Sequence, residues 1–137
     1  MKQSNFFPKV MVVLLIAMTM TFSNCVKDQG VINKDITSNL PDTVSFSKQI
    51  IPIFNANCSI SGCHVGAYPV AQLNLSASMA YDQLFAKSYI DTLNPEFSVI
   101  YIEMNSSTTN KMPPTGRLSD YDVGLVLKWI QQKAKNN

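Results

Sequence analysis

Two cysteines and a histidine lie within seven residues, from Cys58 through Cys63 to His64, a stretch we call the cysteine motif. His64 is the only histidine in the 137 residues. Two thiols can add across the vinyl groups of a haem to form thioethers, and an adjacent imidazole can then bind the iron. The common attachment motif is Cys-x-x-Cys-His. The spacing here is Cys-x-x-x-x-Cys-His, and Gly62 permits the backbone turn that a longer loop needs.

Other uses of these residues stay open at this point. In an exported domain, two neighbouring cysteines most often form a disulfide, here between Cys58 and Cys63. A structural zinc ion takes four protein ligands, and the chain adds no second histidine and only Cys25 as a further cysteine. Zinc is therefore the weakest hypothesis for this site. A lone histidine such as His64 is also more often a surface or core residue than a ligand.

A second candidate ligand, Met112, lies in the segment Lys111-Met112-Pro113-Pro114. A residue before proline is pushed toward extended geometry, and two consecutive prolines stiffen the chain. Met112 is thus expected on a rigid, non-helical segment, which suits a thioether aimed at an iron atom. The alternative is a methionine that fills a gap in the core, which is the commoner use of this residue. Met79 and Met104 fit that use better, because they lie on predicted helix faces.

The first 25 residues predict an export signal rather than part of the fold. Lys2 and Lys9 precede an almost unbroken apolar run at 10–20, which is shorter than the roughly 20 residues of a membrane span. A sequence similar to a bacterial lipobox follows, with Asn24 in place of the usual small residue, and Cys25 would become the lipidated first residue. An ordinary signal peptide would instead leave Cys25 unpaired. We expect a lipoprotein signal peptide at 1–24.

The rest of the chain divides into a tether and one folded domain. Without the leader, 9 basic residues balance 9 acidic ones, so no clustered basic face suggests nucleic acid. Residues 25–43 are polar and aperiodic, as expected of a flexible tether after the lipidated Cys25, although an arm packed on the domain is the alternative. Residues 44–137 make a small domain whose marginal core a covalent haem would enlarge.

Apolar residues recur at helical spacing in several segments of this domain. Pro52 interrupts the first of them and predicts a kinked or late-starting helix, which Ser45 or Ser47 can cap. Ser119 opens the last with a capping box, and its Trp129 is expected to anchor the core. The predicted helices run from Phe46 to Asn57, from Ser76 or Ser78 to Phe85, from Asn94 to Met104, and from Ser119 to Lys135.

A series of short motifs follows in order along the domain: Phe46, 51–54, Cys58, 62–64, 73–76, 94–96, Ser98, Tyr101, 112–114, 118–120 and 128–130. In this order they resemble the small exported c-type cytochromes of the class I kind, in the branch with a Met-Pro-Pro ligand loop. The resemblance implies an all-α fold with the first and last helices packed together around one covalent haem c. It implies thioethers at Cys58 and Cys63, His64 as one iron ligand and Met112 as the other.

The same resemblance implies an electron carrier rather than an enzyme, because His/Met ligation leaves no open position on the iron. We expect a lipid-anchored monomer on the periplasmic or cell-surface face of a bacterial membrane, where it meets redox partner proteins. A haem-free lipoprotein interaction module with a Cys58–Cys63 disulfide is the first alternative. The second is a haem sensor or weak peroxidase in which Met112 dissociates.

Overall fold

The computed structural model of the protein describes residues 39–109 and 111–137. Within these ranges the chain is helical and has no strand, only an isolated bridge between Ser61 and Val65, so the all-α prediction is confirmed there. The predicted signal peptide, the predicted lipidation site at Cys25 and most of the predicted tether lie outside the described residues. The helices are α1 (Ile51–Asn57), preceded by a π-helical turn (Phe46–Ile50), α2 (Ala80–Ala86), α3 (Val99–Asn105) and α4 (Asp120–Gln131), with 3₁₀ turns at Val70–Gln72 and Pro95–Phe97.

The first helical segment changes its geometry where proline interrupts it. The Ser45 hydroxyl caps the segment by accepting from the Lys48 amide at 3.3 Å. The Ser45 carbonyl also accepts from the amides of Gln49 and Ile50, at 3.0 and 3.4 Å, which widens this turn. Pro52, which has no N–H to donate, then falls in the first turn of α1, where none is needed. The predicted late start of the regular helix is confirmed.

Helix α2 lacks the serine cap that the sequence predicted. Neither Ser76 nor Ser78 makes a side-chain bond at its start. The amides of Met79 and Ala80 donate instead to the backbone carbonyl of Ser76, both at 2.9 Å. Because backbone groups close this turn, the helix begins at Ala80, later than expected. Met79, which was expected to fill a core gap, is 42% exposed.

A 3₁₀ turn separates α3 from the Asn94 that was expected to cap it. Pro95–Phe97 forms this turn, and α3 starts only after Ser98. The buried Ser98 hydroxyl accepts from the Asp91 amide at 2.9 Å and donates to the Asp91 carbonyl at 3.3 Å. The Asp91 carboxylate accepts from the amides of Leu93 and Asn94. Asp91 therefore stabilises the turn that precedes α3.

Helix α4 forms the centre of the core. Ser119 caps it, because its hydroxyl accepts from the Asp122 amide at 3.1 Å. Trp129 is fully buried, and its ring stacks on Phe46 with centroids 5.0 Å apart and planes at 30°. Its indole N–H donates to the Lys135 carbonyl at 2.9 Å. The predicted core role of Trp129 is confirmed, and the first helical segment packs on the last helix.

The residues just before the first helical segment also pack on α4. Leu40 is packed against the core, and its Cδ1 lies 3.2 Å from the position that a Cβ on Gly124 would occupy. The Gln132 side chain accepts from the Val44 amide at 2.9 Å and donates to the Asp42 carbonyl at 2.6 Å. The packed residues thus include Leu40, which lies within the segment that the sequence assigned to the tether.

Candidate functional site

The loop after α1 brings the two ends of the cysteine motif together. Cys58 is the C-cap residue of α1 and is buried, whereas Cys63 is half-buried. The Cys63 amide donates to the Ile60 carbonyl at 2.9 Å, and the His64 amide donates to the Cys58 carbonyl at 3.1 Å. Gly62 has a φ of +82°, in the left-handed region that glycine adopts without strain, which confirms the predicted turn. The longer spacing is therefore closed into one compact loop.

A backbone carbonyl fixes the tautomer of the His64 ring. Its Nδ1 lies 3.2 Å from the Leu73 carbonyl oxygen. Because a carbonyl can only accept, this hydrogen bond places the ring hydrogen on Nδ1 and leaves the lone pair on Nε2. Two backbone bonds hold the segments together: the Leu75 amide donates to the His64 carbonyl and the Val70 amide to the Cys63 carbonyl, both at 2.8 Å. In the neutral imidazole, Nε2 is therefore the nitrogen that keeps a lone pair.

One cavity of about 450 Å³ brings the predicted haem-site residues together. Cys58, Cys63, His64 and Met112 all line it. Its volume falls within the roughly 300–1,000 Å³ typical of small-molecule and cofactor pockets. The rest of the wall is mostly apolar, as a porphyrin requires. The apolar part comprises Ile60, Val70, Ala71, Leu73, Leu75, Val99, Ile100, Met104, Pro113 and Pro114.

The segment that carries Met112 is fastened to α3. The Met112 amide donates to the Glu103 carbonyl at 3.0 Å. Met112 is half-buried, lies outside any helix as predicted, and lines the cavity together with Pro113 and Pro114. The structure therefore places a thioether and the His64 imidazole in the wall of the same space, which is the pair that His/Met ligation of an iron needs.

A second thioether, that of Met104, also lines the cavity. Met104 belongs to α3 and is 2% exposed. Its predicted burial is confirmed, but its position in the cavity wall was not predicted. Helical spacing marks which face of α3 is covered, and this face is shared between the core and the cavity. An experiment on the iron ligand must therefore separate Met104 from Met112.

The polar groups of the cavity wall were also missed at the level of sequence. Among residues 39–109 and 111–137, Glu103 is the only carboxylate residue that lines the cavity, and no lysine or arginine does so. Asn57, Tyr89 and Thr115 contribute neutral polar groups. These residues come from four separate parts of the chain and share no motif. Only the tertiary packing brings them together, so the sequence carries no local signal for them.

Burial changes the acidity of the Cys58 thiol. Burial, and after it the charge of nearby Cys63, raise the pKa of Cys58 from 9.0 to about 11. The thiol is therefore protonated at neutral pH and is a weak nucleophile there. Cys58 and Cys63 are both free thiols in the structure. That is the oxidation state from which thioethers form, and it is also the state from which the alternative disulfide would form.

Two further properties of the described residues bear on the site and on the anchor. No group of three or more His, Cys, Asp or Glu side chains in residues 39–109 and 111–137 is arranged to hold a metal ion. A His/Met pair is not such a group, because a thioether supplies one of its ligands. Among the helices of these ranges, none is both long enough and apolar enough to traverse a bilayer.

Comparison with known protein families, with curated proteins and with solved structures gave no match. A function for this chain must therefore be argued from its own residues and from the cavity that they form.

Proposed function

We propose that this protein is an exported mono-haem c-type cytochrome that carries electrons between redox partners. The observation that carries the proposal is the shared cavity. The cysteine motif and Met112 are distant in sequence, yet all four candidate haem-site residues line one apolar space. A module stapled by a Cys58–Cys63 disulfide would require neither His64 nor Met112 in the wall of a cavity. The residue types also match the thioether and axial ligands of haem c.

A covalently attached haem supplies a reversible one-electron iron couple. Cys58 and Cys63 would hold it through thioethers, which prevents its loss from a small domain. His64 would bind the iron through Nε2, because Leu73 O occupies Nδ1–H. Met112 would supply the second axial ligand from its segment beside α3. With both axial positions filled by side chains, no position remains for a substrate, which is why we propose a carrier and not an enzyme.

We also propose that a lipid on Cys25 tethers the domain to the exported face of a bacterial membrane, at its periplasmic or cell-surface side. A chain between Cys25 and Leu40 can extend to at most roughly 50 Å, which leaves the domain free to reach membrane-bound partners. Cells that express the protein should release a Cys25→Ala variant into the soluble fraction. If the variant stays in the membrane fraction as firmly as the wild type, the anchor at Cys25 is wrong.

The first experiment is a visible spectrum with a pyridine haemochrome assay and an intact mass. The full chain should be produced in cells that mature c-type cytochromes. We expect a c-type spectrum and the added mass of one haem. A His64→Ala variant should keep the haem covalently bound through Cys58 and Cys63 but change its spectrum. A colourless, folded protein whose mass is lower by two hydrogens would overturn the proposal and establish the disulfide module.

The second experiment tests the axial ligand. Met112→Ala should keep the haem attached but remove the sulfur-to-iron band near the red end of the visible spectrum. Met104→Leu is the matched control, because it removes the other thioether of the same cavity, and it should keep the band. The opposite pattern would transfer the ligand role to Met104. Carbon monoxide binding to the reduced wild-type protein would instead favour the sensor or peroxidase hypothesis, in which Met112 dissociates.

A further inference from the structure

Glu103 carries a carboxylate and lines a cavity to which the described part of the chain contributes no lysine, arginine or second carboxylate. It is half-buried on α3, and its neighbour Met104 and the preceding Ile100 line the same space. Among the described residues, the ion pair within 4.0 Å joins Arg117 to Asp120, so Glu103 has no cationic partner at that distance. Since no lysine or arginine in the described part of the chain lines the cavity, none of these residues cancels the field of this carboxylate locally.

The backbone links this carboxylate to the segment of the proposed axial ligand. The Glu103 carbonyl accepts from the Met112 amide at 3.0 Å, so the side chains of both residues start from adjacent positions in the wall. The surrounding side chains are apolar, and electrostatic effects are larger in such surroundings than in water. A unit charge that acts over roughly 12 Å at an effective dielectric constant of about 20 changes the equilibrium constant for a one-electron reduction about tenfold.

We propose that Glu103 sets the electron affinity of this site, because its negative charge favours the oxidised iron and lowers the midpoint potential. The inference rests on the proposed function. The redox step transfers one electron between the iron and an external donor or mediator. No bond to Glu103 forms or breaks in this step. Its role is electrostatic, and it acts on the iron without binding it.

Potentiometric titration of the haem-loaded protein tests this role. The chain has only two glutamates, and Glu96 is exposed and does not line the cavity, so Glu96→Gln is a matched control for Glu103→Gln. At a fixed applied potential, Glu103→Gln should raise the ratio of reduced to oxidised protein about tenfold, which is an upward shift of 59 mV. Glu103→Asp keeps the charge and should stay close to the wild type. Glu96→Gln should change the ratio less than about twofold.

The sulfur-to-iron band and the haem content, recorded on each variant, show whether ligation by Met112 is retained. Retained ligation with the expected shift supports the role of Glu103. A shift in Glu103→Gln no larger than in Glu96→Gln, a downward shift, or an equal rise in Glu103→Asp would each overturn it. Any of these three outcomes would leave the proposal of a c-type cytochrome intact. A wild-type protein without haem would overturn both that proposal and the role of Glu103.

Discussion

The buried thiol of Cys58 makes the stability of the haem-free protein dependent on pH. Burial raises the pKa of this thiol from 9.0 to about 11. Well below pH 9 the thiol is neutral in both the folded and the unfolded chain, so its full contribution to stability is present. As the pH rises toward 11, the unfolded thiol ionises while the folded one stays neutral. The free energy of unfolding should therefore fall over this interval, by about 2 to 3 kcal/mol.

This prediction is checked by denaturant unfolding of the haem-free protein at pH of about 8 and about 11. Cys58→Ala removes the titrating group and should remove this part of the decrease. Other groups contribute to both proteins alike, including Tyr101, whose pKa is also raised by burial. Their contributions cancel when the two decreases are subtracted. An equal decrease in the wild type and the variant would contradict the assignment to Cys58.

At the scale of residues, the sequence could identify only the candidates whose signal is local. The cysteine motif is contiguous, and the double proline marks Met112, so both could be chosen before the fold was known. Met104 and Glu103 lie on a helix whose periodicity shows that one face is covered but not what covers it. The bond from His64 to Leu73 uses a backbone carbonyl, and every residue has one. Such contacts follow from tertiary packing and leave no signature in residue type.

At the scale of elements, the capping serines provide a direct test. The Ser119 hydroxyl accepts from the Asp122 amide at the start of α4, whereas Ser78 is exposed and makes no capping bond at α2. Ser119→Ala should therefore lower the free energy of unfolding by about 1 kcal/mol, because an amide loses its partner. The control Ser78→Ala should change it by at most about 0.5 kcal/mol. Thermal or denaturant unfolding measures both, and equal losses would contradict the capping assignment.

The contact between Leu40 and Gly124 gives a second prediction at this scale. A glycine inside a helix costs about 1 kcal/mol relative to alanine. Gly124 is tolerated in α4 because a Cβ there would lie only 3.2 Å from Leu40 Cδ1. Gly124→Ala should thus stabilise the Leu40→Ala protein by about 1 kcal/mol, but the wild type by less. A double-mutant cycle measures this coupling, and fully additive effects would show that Leu40 does not pack on α4.

The helices were easier to predict than their first residues. Periodic apolar residues marked α1 to α4, and the caps at Ser45 and Ser119 were predicted because a serine precedes the apolar residues there. At α2 and α3 other groups satisfy the same backbone donors. The Ser76 carbonyl closes the turn before α2, and Asp91 with Ser98 organises the approach to α3. Sequence alone cannot decide between competing acceptors of similar strength.

At the scale of the whole molecule, the two ends of the described chain are fastened together. The Asn137 carbonyl accepts from the Ser47 amide at 2.8 Å, and its side chain accepts from the Phe46 amide at 2.9 Å. Among the described residues, none before Asn57 or after Thr115 lines the cavity. The tether therefore joins the domain at elements that do not form the cavity wall. A lipid-anchored domain can thus present the proposed haem site to partners without involving its own point of attachment.

The surface around the cavity should exchange electrons with little dependence on salt. Ile60, Val70 and Val99 line the cavity and are 38–48% exposed, and residues 26–137 carry equal numbers of acidic and basic side chains. Long-range steering requires net or clustered charge. The rate of stopped-flow reduction of the haem-loaded protein by ascorbate, an anionic reductant, should therefore change less than about threefold when ionic strength rises from about 0.01 to 0.5 M.

The double variant Ile60→Lys/Val70→Lys tests the same surface. It should make the reaction faster at low salt and strongly salt-dependent. Tyr121→Lys adds a lysine at an exposed site outside the cavity and should do so far less. A wild-type rate that already falls steeply with salt would contradict the apolar exchange surface.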